Sequence, residues 1–138
     1  MKATMLKNHP SYKILIVDDD KAFLTLLTDL MKSVHDHPTV ETARSGNECL
    51  RKIKSFSPNL VFLDIGMDGM NGLVTLRFIK SINPNTIVYL LSGLPEKYLK
   101  GAAGMVPADG YFTKPHFIEL MQSSNLIETI MNTGQIST

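Results

Sequence analysis

A lone cysteine, Cys49, stands in a chain of 138 residues. One thiol excludes an internal disulfide framework and suits a reducing compartment. The formal net charge is +1, and no run of Lys and Arg makes a basic patch. The chain therefore lacks a global field that would draw it to nucleic acid or an anionic bilayer. No apolar stretch approaches the length of a membrane span. Residues 1–10 are polar and lack the apolar core of a signal peptide, so the expected location is cytoplasmic. There is no internal repeat and no low-complexity tract. From His116 to Thr138 there is no Lys or Arg. The last helix thus lacks the basic residues that interhelical salt bridges need, and a monomer or a weak dimer of another kind is expected.

What is present is an ordinary globular balance, 43% hydrophobic and 20% charged, enough for one domain with a continuous core. Short apolar runs alternate with longer amphipathic stretches. The runs Lys13–Val17, Thr39–Ala43, Leu60–Leu63, Thr86–Leu91 and Gly110–Thr113 are mostly rich in β-branched or aromatic residues and read as strands. Pro38, Pro58 and Pro84 precede three of them, each stopping a helix and setting an extended entry.

The stretches between read as helices. In the first, Phe23, Leu26, Leu27, Leu30 and Val34 share a face. Ser45-Gly-Asn-Glu48 is a capping box for the second, with Cys49, Leu50 and Ile53 inward. Asn71 caps the third, and Pro95 suits the first position of a short fourth. A fifth carries Phe117, Ile118, Met121, Leu126, Ile127 and Ile130. The methionines read as core filler, and His9, His35, His37 and His116 as surface residues.

Five strands alternating with five helices predict an α/β fold: a doubly wound five-stranded parallel sheet, flavodoxin-like (βα)5, in strand order 2-1-3-4-5. The expected domain spans residues 12–132, with tails at 1–11 and 133–138.

Ligands of such sheets bind at the carboxyl ends of the strands. After the first strand come Asp18, Asp19 and Asp20, after the third Asp64, after the fourth Ser92 and Gly93, and after the fifth Lys114-Pro115. Strand two ends in Ala43-Arg44-Ser45, with no comparable group. Asp20 reads as a helix N-cap. The other carboxylates would repel one another unless a cation neutralised them. Their hard oxygens, with no His or Cys among them, favour Mg²⁺ over zinc. A lysine opposite suits a phosphate, and a hydroxyl can bond one of its oxygens. Together these are the parts of a phosphoryl-transfer site.

Ile14–Asp20, Leu60–Leu73, Leu91–Gly93 and Asp109–Pro115 resemble the motifs of the receiver domain of bacterial two-component response regulators, over about Tyr12 to Met131. The resemblance implies that Asp64 accepts a phosphoryl group from a sensor histidine kinase or phosphotransfer protein. It implies Mg²⁺ held by Asp18, Asp19, Asp64 and the backbone carbonyl of Gly66. Ser92 and Lys114 would bind phosphate oxygens, Tyr111 would occupy the aromatic switch position, and Lys114-Pro115 would be a cis peptide. Output would run through the face of the fourth helix, fifth strand and fifth helix, to a downstream protein effector or onward phosphorelay. Only a few residues follow the last helix, so no direct nucleic-acid or membrane contact is expected. Such a domain is a phosphoacceptor switch rather than an enzyme.

The sequence departs from the family pattern where Asp68 replaces the usual proline, and Gly66 is smaller than the usual residue. Leu94, two residues after Ser92, is apolar and would limit water access. Two other readings stay open: a receiver-like scaffold that is never phosphorylated, and a haloacid-dehalogenase-type phosphatase built on Asp18-x-Asp20. The second lacks the Gly-Thr that should follow Asp20. A flavin binder fails because three acids follow strand one, where a phosphate-binding loop should lie.

Overall fold

The computed structural model describes residues 12–34, 37–67 and 71–133. The expected tails fall outside these residues, apart from Thr133, as do His9, His35 and Asp68. Five strands form one parallel sheet: β1 (Lys13–Val17), β2 (Thr39–Ala43), β3 (Leu60–Asp64), β4 (Ile87–Ser92) and β5 (Gly110–Thr113), in order β2-β1-β3-β4-β5. Between them run α1 (Lys21–Met31), α2 (Gly46–Ser55), α3 (Gly72–Ile82) and α4 (Glu96–Ala103); α5 (Lys114–Ser123) and α6 (Leu126–Thr133) follow β5. No helix among the described residues is long and apolar enough to cross a membrane.

Alternation along the central strands builds two cores. Ile14 and Ile16 of β1 and Leu60 and Phe62 of β3 face one side, where they meet Phe23, Leu24 and Leu27 of α1, Phe117 of α5 and Ile130 of α6. Leu15, Val17, Val61 and Leu63 face the other, against Cys49 and Ile53 of α2, Leu76 and Ile79 of α3 and Leu99 of α4. A two-residue side-chain period requires this split. Because both faces are covered, β1 and β3 read as unbroken apolar runs. Cys49 is fully buried, and burial, with a smaller push from Glu48, raises its thiol pKa to about 12. It is an inert core residue.

The caps follow the sequence closely. The Asp20 carboxylate accepts hydrogen bonds from the amides of Ala22 and Phe23, Ser45 Oγ from Glu48, and Asn71 Oδ1 from Val74. Glu48 reaches back one residue further than a capping box requires, accepting from Arg44 N at 2.7 Å. Pro95 is the N-cap of α4 rather than its first residue.

Other expectations need correction. Helix five is two helices. Ser123 and Ser124 turn their hydroxyls back onto the carbonyls of Glu119 and Leu120, and Ser124 is extended. Such back-bonding competes with the helical ladder and ends it, and α6 restarts from Asn125, whose carbonyl accepts from Thr129 N. Lys114-Pro115 is trans, since no described peptide is cis. Thr113 caps α5 by accepting from His116 N, and a trans proline with its fixed φ fits that first turn. Met31 and Met67 fill core positions, but Met105 is 73% exposed.

Both ends of α3 are fixed to the sheet. At its start, a Cβ on Gly72 would lie 2.5 Å from the Asp64 carbonyl oxygen and the Ile65 Cα, so only glycine permits the approach. In its last turn, Lys80 Nζ donates to the Thr86 carbonyl at 2.6 Å and to Asp109 Oδ2 at 2.8 Å. The same carboxylate oxygen accepts from Val88 N at 2.7 Å.

Candidate functional site

Strand register assembles the site. Val17 pairs with Leu63, Asp64 with Leu91 and Ser92 with Thr113. Asp18, Asp64, Ser92 and Lys114 therefore emerge from neighbouring strands at one edge, each at or just past the last paired residue. Asp18, Asp64 and Ser92 are buried, whereas Asp19 reaches solvent.

Oxygens of Asp18, Asp19 and Asp64 lie within 4.8 Å of one another. Asp18 Oδ1 accepts from Asp20 N at 2.9 Å, and Asp64 Oδ1 accepts from Gly66 N at 3.2 Å. Lys114 Nζ stands 2.6 Å from Asp18 Oδ2 and 3.9 Å from Asp64 Oδ2. The short contact is an ion pair by distance, but no donor is aligned with the buried Asp18 Oδ2. The Lys114 ammonium also sits over the Phe23 ring, 4.3 Å from its centroid.

Burial and the neighbouring Asp18 carboxylate raise the Asp64 pKa from 3.8 to about 6, against the opposing pull of Gly66 N–H and Lys114. Desolvation and like charge both disfavour the ionised form. A buried oxygen with no aligned donor, beside two further carboxylates, is the donor set that a hard divalent cation fits.

Ser92 Oγ accepts from Leu94 N at 3.0 Å, which leaves its own proton available to donate. Tyr111 is half-buried and, with Glu96, Leu99, Phe112, Thr113 and His116, lines a cavity of about 370 Å³ between α4, β5 and α5. Gly66 lies beside the site, where a Cβ would make only ordinary contact with Asp64 Oδ1, at 3.8 Å. Its small size is thus not demanded by space.

The structure brings Asp18, Asp19, Asp64, Ser92 and Lys114 to one edge, as the spacing predicts. Three further neighbours are not singled out by the sequence pattern, although Gly72 lies within the Leu60–Leu73 segment. Arg44, at the end of β2, donates from Nη2 to the Asp19 carbonyl at 3.3 Å, so the second strand does contribute to the rim. Phe23 shows in the sequence only as a core position of α1. Gly72 follows an obvious N-cap, and its signal is a glycine in the first helical turn, where a good helix former is the ordinary choice.

Residues 14–125 match the family profile described as the response regulator receiver domain. Among solved structures, the chain is similar to the response regulator domain of Thermotoga maritima CheB, with 27% identity and a TM-score of 0.77 over 94% of this chain and 100% of that one. It is also similar to the BeF3-activated DrrB receiver domain, with 28% identity and a TM-score of 0.70 over 86% of this chain and 99% of that one. Among curated proteins, the protein-glutamate methylesterase/protein-glutamine glutaminase of Halalkalibacterium halodurans is 33% identical over 104 residues, 75% of this chain and 30% of that protein. The chain spans less than a third of the length of the curated relatives it matches.

Proposed function

The chain belongs to the response regulator receiver family of two-component systems, and from that membership we propose that it is a phosphorylation switch whose phosphoacceptor is Asp64. The observation that carries this reading is the setting of the Asp64 carboxylate. It is buried at the end of β3, with Asp18 and Asp19 oxygens within 4.8 Å and the Lys114 ammonium 3.9 Å from its Oδ2.

The proposed donor is a phosphohistidine on a sensor histidine kinase or phosphotransfer protein. An Asp64 oxygen attacks phosphorus, and the P–N bond breaks as the O–P bond forms. The imidazole leaves with the bonding pair and takes up a proton. Asp18, Asp19, Asp64 and the Gly66 carbonyl would hold Mg²⁺, which when bound neutralises the carboxylates and the transferring oxygens. With an Asp64 pKa of about 6, most of the nucleophile is ionised at neutral pH even in the metal-free protein.

The product carries roughly −1.5 to −2 charges, if it behaves like other phosphoryl groups. The Ser92 hydroxyl donates to one phosphoryl oxygen, and Lys114 transfers its contact from Asp18 to another. Both are charge-assisted hydrogen bonds. Inward movement of Ser92 frees space for the Tyr111 ring, which borders the cavity between α4, β5 and α5. That face then changes shape for a downstream protein effector, or the phosphoryl group passes onward. In this reading the domain assists only its own phosphorylation and dephosphorylation. It is cytoplasmic, monomeric or weakly dimeric, and makes no direct contact with nucleic acid or membrane; a concentration-independent dimer in sedimentation refutes the oligomeric part.

The test is incubation with Mg²⁺ and acetyl phosphate, read by intact mass, beside Asp64→Ala. A Mg²⁺-dependent phosphoryl adduct that is lost in Asp64→Ala supports the switch. No adduct with acetyl phosphate, and no Mg²⁺-dependent response to beryllofluoride, overturns it in favour of a scaffold that is never phosphorylated.

A further inference from the structure

Helix α3 exposes an apolar ridge that the core does not use. Val74, Phe78 and Ile82 are 37%, 49% and 40% exposed. At intervals of four they lie along one side of the helix, over roughly 12 Å at 1.5 Å per residue. Across from the ridge stands α2. Asn47, Leu50, Arg51 and Lys54 of α2 and Phe78 and Ile82 of α3 line a cavity of about 460 Å³. Large apolar side chains clustered at a cleft mark interaction sites more often than scattered ones do.

Among the described residues, the charged side chains that line the cleft are both basic. Arg51 and Lys54 border the cleft, and Arg77 adjoins Phe78 on the exposed side of α3. None of the three has an ion-pair or hydrogen-bond partner among the described residues. Lys52, on the same helix as Arg51 and Lys54, is by contrast paired with Glu41 and Glu48 and bonded to the Thr42 carbonyl. The carboxylates near α2 are thus engaged on its β2 side, and the α3 side keeps its positive charge.

We infer that the cleft between α2 and α3 docks an acidic amphipathic helix of a partner protein. Its apolar residues would lie against Leu50, Phe78 and Ile82, and its Asp or Glu side chains would pair with Arg51, Lys54 and Arg77. A hydrophobic groove receives an amphipathic helix through anchors at i, i+3 or i+4, and i+7. Rim charges select the partner and speed its approach. This surface lies on the sheet face opposite α1, α5 and α6, and the inference does not rest on phosphorylation of Asp64.

The experiment uses the full chain and two synthetic helices. Both carry a Leu/Ile stripe; one is flanked by Glu and the other has Lys in place of every Glu. Amide shifts are followed by NMR during titration, against wild type, Phe78→Ser and Arg51→Glu/Lys54→Glu, all at exposed or rim positions. The expected result is binding of the Glu helix with shifts confined to residues 47–54 and 74–82. Affinity should fall about tenfold in Arg51→Glu/Lys54→Glu, in keeping with two exposed charge pairs lost and repulsion gained, and the Lys helix should prefer that variant. Equal binding of both helices, or shifts mapping elsewhere, overturns the inference. So does the same surface responding to phosphatidylglycerol vesicles but not to the Glu helix, which makes it a membrane face. Concentration-dependent shifts there without peptide would overturn it in favour of self-association.

Discussion

The ammonium of Lys114 lies over the ring of Phe23, 4.3 Å from its centroid, while reaching Asp18 Oδ2 at 2.6 Å. The aromatic face holds a flexible side chain at the position where a phosphoryl oxygen would arrive. A partly desolvated contact of this kind contributes roughly 0.5–2 kcal/mol. Phe23→Leu keeps an apolar residue in the core but removes the ring. Its expected effect is severalfold slower phosphorylation by acetyl phosphate, with the fold retained. An unchanged rate would show that Lys114 needs no such support.

Asp64 titrates at about 6 in the fold, against 3.8 for an unperturbed aspartate. The folded state therefore binds this proton more tightly than the unfolded chain does. Its stabilising contribution is complete below about pH 4 and is lost as pH rises through about 6. Without Mg²⁺, Asp64→Asn should exceed wild type in stability near neutral pH, and the gap should close as the solution is acidified through pH 6. Denaturant midpoints for both proteins across this range measure it. A gap independent of pH would exclude Asp64 as the titrating group.

Mg²⁺ should show the opposite trend on the same group. Protons compete for the carboxylates, so addition of Mg²⁺ should raise the wild-type Tm most above about pH 6 and progressively less below it. Chelation should reverse the gain. Thermal scans with and without a chelator decide it, and equal stabilisation at acidic and neutral pH would place the ion elsewhere.

Gly72 admits no side chain, because a Cβ would press on the backbone of Asp64 and Ile65 at 2.5 Å. Gly72→Ala must push α3 away from β3, at about 1–3 kcal/mol for a forced backbone shift. Calorimetry should show that loss, and phosphorylation should slow because Asp64 moves with it. Wild-type stability in this variant would mean that the helix start relaxes freely.

Leu94 is 56% exposed, with its amide bonded to Ser92 Oγ. An apolar residue there orients no water, whereas a carboxylate can. Leu94→Glu is expected to shorten the lifetime of phosphorylated Asp64, followed by loss of the adduct after acetyl phosphate is removed. An unaltered lifetime sinks the idea.

Much of this was legible because periodicity is local. Unbroken apolar runs at β1 and β3 identify central strands, and acids directly after them must fall at one sheet edge. Asp20, Ser45 and Asn71 announce their helices because capping involves only neighbours in sequence. What stayed hidden depends on contacts between distant segments. The ring of Phe23 under Lys114 joins residues far apart in the chain. The closeness of Gly72 to Asp64 depends on how α3 docks. The break at Ser124 hinged on hydroxyls choosing carbonyls one turn back over continuing the apolar pattern that Leu126 and Ile130 extend. The Lys114-Pro115 bond is trans, where the resemblance implied cis.

The Lys80–Asp109 link carries one more consequence. Helix α3 is anchored at Gly72 to the end of β3 and at Lys80 to Thr86 and, through Asp109, to Val88. Helix ends ordinarily fray first and exchange their amide hydrogens independently of the body. Here the final turn of α3 can open only by releasing the entry to β4 and the residue that leads into β5. These segments therefore form one cooperative unit, and their slowest amides should share a single opening free energy across stretches that lie far apart in the chain.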